Sequence, residues 1–411
     1  MKRPCFVSLR LSPMQSKRAF GIWLLLFCLI STLAVTQVYQ VTDLGQISPT
    51  AINDGGQVVG NQNGQAFLWT QSAGPVGLGT LTGGTSSYAA SINDLGAVVG
   101  NADGPGTVVS PVSEYPNVQC SDLTQPFVWT PSSGMQGLGT IGTTAYPDDS
   151  LWCDFSFYGT GANDLGQVVG YSAPEPDLYQ WAFLWTSAGG MTIFGSSWTP
   201  TFANGVSNTG QIVGQSDSSP YSGHATSWKN GVATDLEWLG GAAGLDYFSS
   251  SANGVNDSGQ IVGWSTTSLV SDDACWAFGP GDITGCPMHA VLWKASGEIL
   301  DLGTLPGDLF SSASNINFFG QVIGTSGTTL VFQEAAGTAR SGLFGDSPTG
   351  VVGHPFIWSE SSGMQDLNTL ISASSGWALN SATGINIWGQ IVGLGTLNGK
   401  THGYLLTPRF F

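Results

Sequence analysis

The four histidines are the side chains of this sequence best suited to general acid–base catalysis or to zinc binding. They are His224, His289, His354 and His402. Each precedes a short apolar segment that recurs along the chain, so their placement follows a structural repeat and not a single site. We therefore predict structural roles for them, with neither a Ser-His-Asp site nor a zinc site.

Carboxylates offer the other common catalytic chemistry, but here they are scattered or periodic. Glycoside hydrolysis requires two carboxylates at a defined separation, and the glutamates of this chain form no motif. Asp54, Asp94, Asp164 and Asp257 each follow an Asn in Asn-Asp-x-Gly, a pattern typical of turns that lacks the dense acidic loop of calcium sites. We predict no catalytic residue, metal or cofactor.

The repeat that must position these side chains has seven copies. In its fullest form the core reads Asn-Asp-x-Gly-Gln-Val-Val-Gly. An apolar segment that usually ends in Trp follows the core, as in residues 66–69, and a Leu-Gly-Thr-Leu segment follows in most copies, as in residues 78–81. The seven cores begin at Asn53, Asn93, Asn163, Ser207, Asn256, Asn317 and Asn386.

Each copy predicts four short antiparallel strands. The first strand enters the Asn-Asp-x-Gly hairpin turn, and the Gln-Val-Val-Gly, Trp-ending and Leu-Gly-Thr-Leu segments form the other three. The last copy lacks a fourth segment, whereas residues 41–47 supply one ahead of the first copy. We predict an all-β, seven-bladed β-propeller of four-stranded antiparallel blades over residues 35–411, closed by the N-terminal strand pairing into the last blade.

These motifs resemble the extracellular HAF repeat family of bacterial secreted proteins over nearly the whole chain after its first 34 residues. The shared pattern is the Asn-x-x-Gly-Gln-Val-Val-Gly core, the Trp-ending strand and the Leu-Gly-Thr-Leu segment. The His-Ala-Phe triplet is nowhere intact, since Gln65 and Trp181 replace its His, and His224 and His289 lack the following Phe. The resemblance implies a family and no reaction.

Residues 1–34 are predicted to be a targeting segment. They carry five basic residues and no acid, then an uncharged run that ends in small residues suited to cleavage after Ala34. We predict a cleaved secretory signal, with an uncleaved membrane anchor as the alternative. The rest of the chain would then be extracellular, periplasmic or at the cell surface, without membrane insertion after cleavage.

The charge that remains beyond residue 34 excludes one class of partner. Only five basic residues face 27 acidic ones there. A polyphosphate would be repelled by this balance. We therefore predict no binding of nucleic acid.

Insertions interrupt the repeat between its second and third strands and between successive copies. Both connections leave a blade at the same end, so the insertions should decorate one face. They are residues 101–124, 142–158, 171–181, 238–249, 264–288 and 325–353. Five tryptophans lie in or near insertions and are predicted to bind a ligand, the alternative being that they pack the loops: Trp152, Trp198, Trp238, Trp264 and Trp276.

Four cysteines follow the targeting segment, namely Cys120, Cys153, Cys275 and Cys286. In an oxidising compartment an even number predicts two disulfides, with free thiols as the alternative. The positions within insertions favour the pairs Cys120–Cys153 and Cys275–Cys286.

The sequence thus predicts a secreted or surface-associated binding or scaffold module. Its first predicted ligand is a carbohydrate or cell-envelope polymer, and its second is a protein partner. The alternative is an extracellular polysaccharide hydrolase or lyase that uses insertion carboxylates such as Asp148, Asp149, Asp272 or Asp273. A purely structural envelope protein is the third reading.

Overall fold

Seven four-stranded antiparallel sheets form a seven-bladed β-propeller, as predicted. In each blade the strands are named A to D in order along the repeat. The computed structural model describes residues 38–109, 118–120, 123–141, 156–173, 181–195, 201–219, 222–240, 250–267, 288–332 and 348–409.

The strands follow the repeat along the chain. The first two blades and the insertion of the second contain β2 (Ser48–Ile52), β3 (Val58–Gln62), β4 (Gln65–Thr70), β5 (Gly74–Gly79), β6 (Ser87–Ile92), β7 (Val98–Ala102), β8 (Gly106–Val109), β9 (Val118–Cys120), β10 (Gln125–Thr130), β11 (Gly134–Gly137) and β12 (Thr140–Ile141). Blades three to five contain β13 (Ser156–Ala162), β14 (Val168–Ala173), β15 (Ala182–Thr186), β16 (Gly190–Phe194), β17 (Thr201–Val206), β18 (Ile212–Ser219), β19 (Ser222–Lys229), β20 (Val232–Asp235), β21 (Ser250–Val255), β22 (Ile261–Thr266), β23 (Met288–Trp293) and β24 (Ile299–Gly303). The last two blades contain β25 (Phe310–Ile316), β26 (Val322–Phe332), β27 (Pro348–Ser359), β28 (Gly363–Asp366), β29 (Trp377–Ile385), β30 (Ile391–Leu397) and β31 (Lys400–Arg409).

The N-terminal strand closes the ring. Strand β1 (Val38–Gly45) pairs antiparallel with β31, the third strand of the last blade, from Val38 opposite Arg409 to Gly45 opposite Gly403. It is therefore strand D of blade seven. The first and last strands of the propeller therefore pair in one sheet, which joins the beginning of the ring to its end.

The Gly that ends each core has a steric cause. In blade one the register shifts between Pro49 and Ala51 of strand A, and this bulge brings the Ser48 carbonyl to the place where a Cβ on Gly60 would lie. The other six blades repeat this register shift in strand A. The bulge therefore requires a residue without a Cβ on strand B.

The predicted position of strand D is wrong for much of the Leu-Gly-Thr-Leu segment. Strand β5 ends at Gly79, before Thr80 and Leu81. In blade two Thr140–Ile141 joins a sheet of the insertion as β12. In blade six Leu367–Leu370 forms a 3₁₀ helix, which Asp366 caps by accepting from the Asn368 N–H. Beyond the ends of these strands, Leu81 and Leu305 pack between neighbouring blades instead of extending strand D.

The core lies between neighbouring blades. Strand C contributes its largest buried rings, with Phe67, Phe127, Phe183, Phe356 and Tyr404 each 2% exposed or less. At the closure one cluster unites Leu44 and Leu405 of blade seven with Ile52 and Phe67 of blade one. Truncating one such buried ring to Ala typically costs about 3–5 kcal/mol of unfolding free energy.

A ring of asparagines joins the A–B turns around the propeller axis. The Asn53 amide Nδ2 donates to the Asn93 carbonyl at 3.0 Å, and the same bond recurs from Asn93, Asn163, Asn256 and Asn317 to the next turn. The Asn386 Nδ2 donates to the Asn53 carbonyl at 3.1 Å across the closure. These side chains are buried, so the Asn that opens six of the seven cores links blades as well as forming its own turn.

The predicted targeting segment, residues 1–34, lies outside the described residues, and its cleavage stays a prediction. In the part of the chain that the structure describes, no helix is long and apolar enough to span a membrane.

Candidate functional site

The two ends of the blades form two different faces. The A–B and C–D turns lie at one end, which we name the turn face, while the B–C and D–A connections lie at the other, the loop face. The insertions belong to the loop face. In blade two, β8 and β9 form a hairpin onto which β12 adds in parallel. In blade six, β26 and β27 continue pairing as far as Phe332 opposite Pro348.

Buried serines form hydrogen bonds between neighbouring blades beneath these loops. Ser87, the first residue of strand A in blade two, accepts from the Ala66 N–H at 3.0 Å and donates to the Gly79 carbonyl at 2.7 Å. Ser311 makes the equivalent two bonds between blades five and six, and Ser250 makes the first of them. The loops therefore start from strand ends with satisfied, rigid hydrogen bonding.

Asp103 fastens two loops to each other at the insertion of blade two. Its carboxylate accepts from Thr85 through N at 3.0 Å and Oγ1 at 2.7 Å, and from Ser86 through N and Oγ. Burial raises the pKa of Asp103, but the four hydrogen bonds outweigh it and leave the pKa lowered. The ionised carboxylate therefore holds the D–A connection before blade two against its B–C loop.

Buried Gln125 ties the same insertion to the blade. Its Nε2 donates to the Pro105 carbonyl at 3.2 Å and its Oε1 accepts from the Gly139 N–H at 3.1 Å. One side chain thus holds the segment that precedes β8 and the segment that precedes β12.

Three histidines each pair with an aspartate of their own blade. Nδ1 of His289 lies 2.9 Å from an Asp301 carboxylate oxygen, and His224–Asp235 and His402–Asp43 repeat this contact at 3.0 and 2.9 Å. An Asp on Nδ1 orients the ring as it does in Ser-His-Asp sites. Recurrence on three blades instead supports the predicted structural role, in which each pair joins strand C to strand D.

His354 departs from this pattern. Its Nδ1 lies 3.9 Å from Asp308, a residue of the D–A connection whose carboxylate accepts from the Ser326 hydroxyl at 2.8 Å. This pair joins a loop to strand C and not one strand to another.

The five predicted binding tryptophans do not share one environment. Trp264 is 5% exposed and packs with Met288 of blade five and Phe310 of blade six, so its ring is enclosed between these two blades and we leave it out of the binding surface. Trp238 is half-buried after β20. Trp152, Trp198 and Trp276 lie outside the described residues.

Trp238 sits in a segment that is pinned to the next blade. The buried Trp293 indole Nε1 donates to the Glu237 carbonyl, and the Leu239 N–H donates to the Ser265 hydroxyl at 3.0 Å. The backbone on both sides of Trp238 is therefore held at the loop face, where a half-buried ring can contact a ligand with little loss of entropy.

The predicted disulfides and the rival catalytic acids fall largely outside the described residues. Cys120 ends β9, while the structure does not describe residues 153, 275 and 286 or the carboxylates at 148, 149, 272 and 273. Both disulfide pairs stay predictions. Among the described residues, no group of three or more His, Cys, Asp or Glu could hold a metal ion.

The turn-forming aspartates make contacts that a single repeat does not reveal. The Asp54 N–H donates to the Asp94 Oδ1 at 2.8 Å, and the Asp94 N–H donates to the Asp164 Oδ1 at 2.9 Å. The Ile387 N–H donates to the Asp54 Oδ1 at 3.0 Å across the closure. Carboxylates thus follow one another around the turn face, a feature that aligning the turns in register would have suggested.

Comparison with known proteins finds distant structural likeness. No protein-family profile and no curated protein matches it. Among solved structures it is similar to an oligogalacturonate lyase in complex with manganese, at 12% identity over 90% of this chain and 93% of that chain, with a TM-score of 0.48. It is also similar to dipeptidyl peptidase 4 of Porphyromonas gingivalis, at 10% identity over 84% of this chain and 49% of that chain, with a TM-score of 0.39.

Proposed function

We propose that the protein is an exported binding module that recognises a carbohydrate or cell-envelope polymer through its loop face. The observation that carries this proposal is the one-sided placement of the insertions. The described parts of two of them, in blades two and six, extend from the B–C ends of their strands. Insertions that collect on one face of a repeat protein commonly build its binding surface.

The framework under the loops supports recognition. Ser87, Ser250 and Ser311 staple neighbouring blades, and Asp103 and Gln125 hold the insertion of blade two. A surface whose supports are already hydrogen-bonded loses less conformational entropy on binding. Side chains on such loops can therefore be presented in one arrangement.

A sugar polymer is the first ligand because of the tryptophans proposed for this face. An indole ring offers a large flat surface for a sugar ring and one N–H donor. The proposed set is Trp152, Trp198, Trp238 and Trp276. The acidic balance beyond residue 34 favours neutral or cationic polymers over polyanions.

The test is affinity electrophoresis of the protein against a panel of neutral, cationic and anionic polysaccharides. We expect retardation by at least one neutral or cationic polymer. The triple variant Trp152→Ala, Trp238→Ala, Trp276→Ala should weaken binding at least tenfold. A matched control, Val76→Ser with Val232→Ser, changes two exposed side chains on D strands and should leave binding unchanged.

Two outcomes would count against the proposal. One is that the protein binds no polymer of the panel and that the tryptophan variant migrates as the wild type does in every gel. The other is release of reducing ends from a bound polymer, which would favour the hydrolase or lyase. In that case Asp148→Asn and Asp272→Asn should abolish release and retain binding.

A further inference from the structure

The turn face carries large apolar side chains at one repeat position. The third residue of the A–B turn is Leu95, Leu165, Phe319 and Trp388 in blades two, three, six and seven, with exposed fractions of 63% to 74%. Phe318, beside Phe319, is 53% exposed. We name these five residues the apolar crescent. Exposed apolar groups collected in one region commonly mark an interaction site.

The turn itself does not require apolar residues at this position. The same position holds Gly55, Thr209 and Ser258 in blades one, four and five. Those turns keep the same backbone hydrogen bond, from the Gly that follows to the residue that opens the core. Small or polar residues at this position therefore form the turn equally well, and forming the turn does not explain the apolar residues.

The crescent lies on consecutive blades, and contacts orient its aromatic rings. Blades six, seven, one, two and three are consecutive around the ring. The Trp388 indole Nε1 donates to the Asp54 carbonyl at 2.9 Å, so its ring reaches the turn of blade one. Phe318 and Phe319 pack edge to face with centroids 5.5 Å apart. Aromatic anchors that are already oriented are typical of binding hot spots.

Carboxylates follow the same arc. Asp54, Asp94 and Asp164 belong to the turns of blades one to three and accept backbone N–H groups from neighbouring turns. None of the ion pairs between described residues includes them. Burial, together with the charges of Asp54 and Asp164, raises the pKa of Asp94 despite its backbone hydrogen bond. A cation bound here would relieve that repulsion.

We propose that the apolar crescent and its carboxylates form a docking site for a polypeptide segment that combines Arg or Lys with apolar side chains. The apolar groups cover the crescent and the cations pair with Asp54, Asp94 and Asp164. An Arg guanidinium can also stack on the exposed Trp388 ring. A second copy of the chain fits poorly, because two facing turn faces would bring like charges together. An anionic membrane is repelled for the same reason.

The test is selection from a displayed library of random peptides on the immobilised protein. We expect the recovered peptides to be enriched in Arg or Lys together with Leu, Phe or Trp. A synthetic copy of the most enriched peptide should bind in fluorescence anisotropy. Raising the salt concentration from about 50 mM to about 500 mM should weaken its binding, because screening reduces the attraction.

The variant Leu95→Ser, Phe319→Ser, Trp388→Thr places at three turns the residue types that the chain already uses at Ser258 and Thr209. It should fold and lose at least tenfold in peptide affinity. The control variant Val76→Ser, Val232→Ser, Val352→Ser removes exposed apolar groups that lie in strands and not in the A–B turns. The control variant should bind the peptide with the affinity of the wild type.

The proposal is overturned if no basic–apolar peptide is enriched, or if the crescent variant binds the peptide as tightly as the wild type. It is also overturned if sedimentation shows a dimer that the crescent variant abolishes, since the occupant would then be a second copy. The loop-face test changes other residues, so either proposal can fail while the other stands.

Discussion

Completing the asparagine ring at Ser207 is expected to stabilise the protein. Ser207 opens the core of blade four, and its carbonyl accepts from the Asn163 Nδ2 at 2.9 Å. Its own hydroxyl is too short to continue the ring and lies 2.9 Å from the Thr209 Oγ1. The substitution Ser207→Asn would add a donor toward the Asn256 carbonyl.

The magnitude follows from the equivalent bonds in the other blades. There the Nδ2 atom reaches the next carbonyl at 2.9–3.1 Å. One net buried hydrogen bond contributes about 1 kcal/mol to the free energy of unfolding. The bond lost to Thr209 is partly buried and offsets some of this gain. We expect Ser207→Asn to raise the free energy of unfolding by about 0.5–1 kcal/mol.

An Asn→Ser substitution in blade seven should change the free energy of unfolding in the opposite direction. Asn386 is 2% exposed, and its Nδ2 donates to the Asn53 carbonyl at 3.1 Å and to the Gln390 Oε1 at 2.8 Å. Asn386→Ser removes both bonds at the closure of the ring. We expect it to lower the free energy of unfolding by about 2 kcal/mol.

Equilibrium urea unfolding measures both changes, with tryptophan fluorescence and circular dichroism as two probes of one transition. Ser258→Asn, at an exposed turn position, is the control and should be neutral. The reasoning is refuted if Ser207→Asn destabilises the protein or if Asn386→Ser leaves the unfolding midpoint unchanged. Either result would mean that the ring bonds do not contribute to the native state.

Three further predictions concern single side chains. Tyr39 and Tyr404 are both buried, but the Tyr39 hydroxyl has no partner among the described residues, whereas the Tyr404 hydroxyl donates to a backbone carbonyl at 2.7 Å. In urea unfolding, Tyr39→Phe should therefore gain about 1 kcal/mol and Tyr404→Phe should lose about 1 kcal/mol; changes of the same sign would contradict this. Burial raises the pKa of Asp301, but hydrogen bonds that include one from His289 leave it lowered, so its contribution is present above about pH 4 and is lost as the pH falls further. His289→Ala should flatten the decline of the unfolding midpoint below about pH 4, and an unchanged slope would exclude this linkage. Asp103→Asn should loosen two loops and speed limited proteolysis at residues 85–86 at pH 7, and an unchanged cleavage rate would show that the clamp does not restrain them.

The blade count and the closure could be predicted because they depend on periodicity along the chain. Each core marks one hairpin turn, and Gly56 at φ 72° has the positive φ that this turn requires. The missing last segment and the extra first segment specify the pairing of β1 with β31. Both inferences use local pattern and order alone, which a repeat preserves.

Contacts between blades could not be read in the same way. The bond from Asn386 to Asn53 joins residues that are 333 positions apart, and nothing in a single repeat shows that an Asn side chain faces its neighbour. The sequence predicts a strand for the second Leu of Leu-Gly-Thr-Leu, because its apolar character fits both a strand and a contact between blades. In the structure this Leu makes the contact between blades, because Leu81 and Leu305 are buried beyond the ends of their D strands.

The departures from the repeat carry the functional information, and they point to two faces for different reasons. On the loop face the chain length varies, because B–C and D–A connections can grow without disturbing the strands. In the A–B turns of the turn face the length is constant, and the third residue ranges from Gly to Trp. Since Gly55, Thr209 and Ser258 satisfy the turn equally well, stability does not account for Leu95, Leu165, Phe319 or Trp388. Exposed apolar groups reduce solubility unless a partner covers them, and that cost is the physical reason to expect a second binding surface opposite the loops.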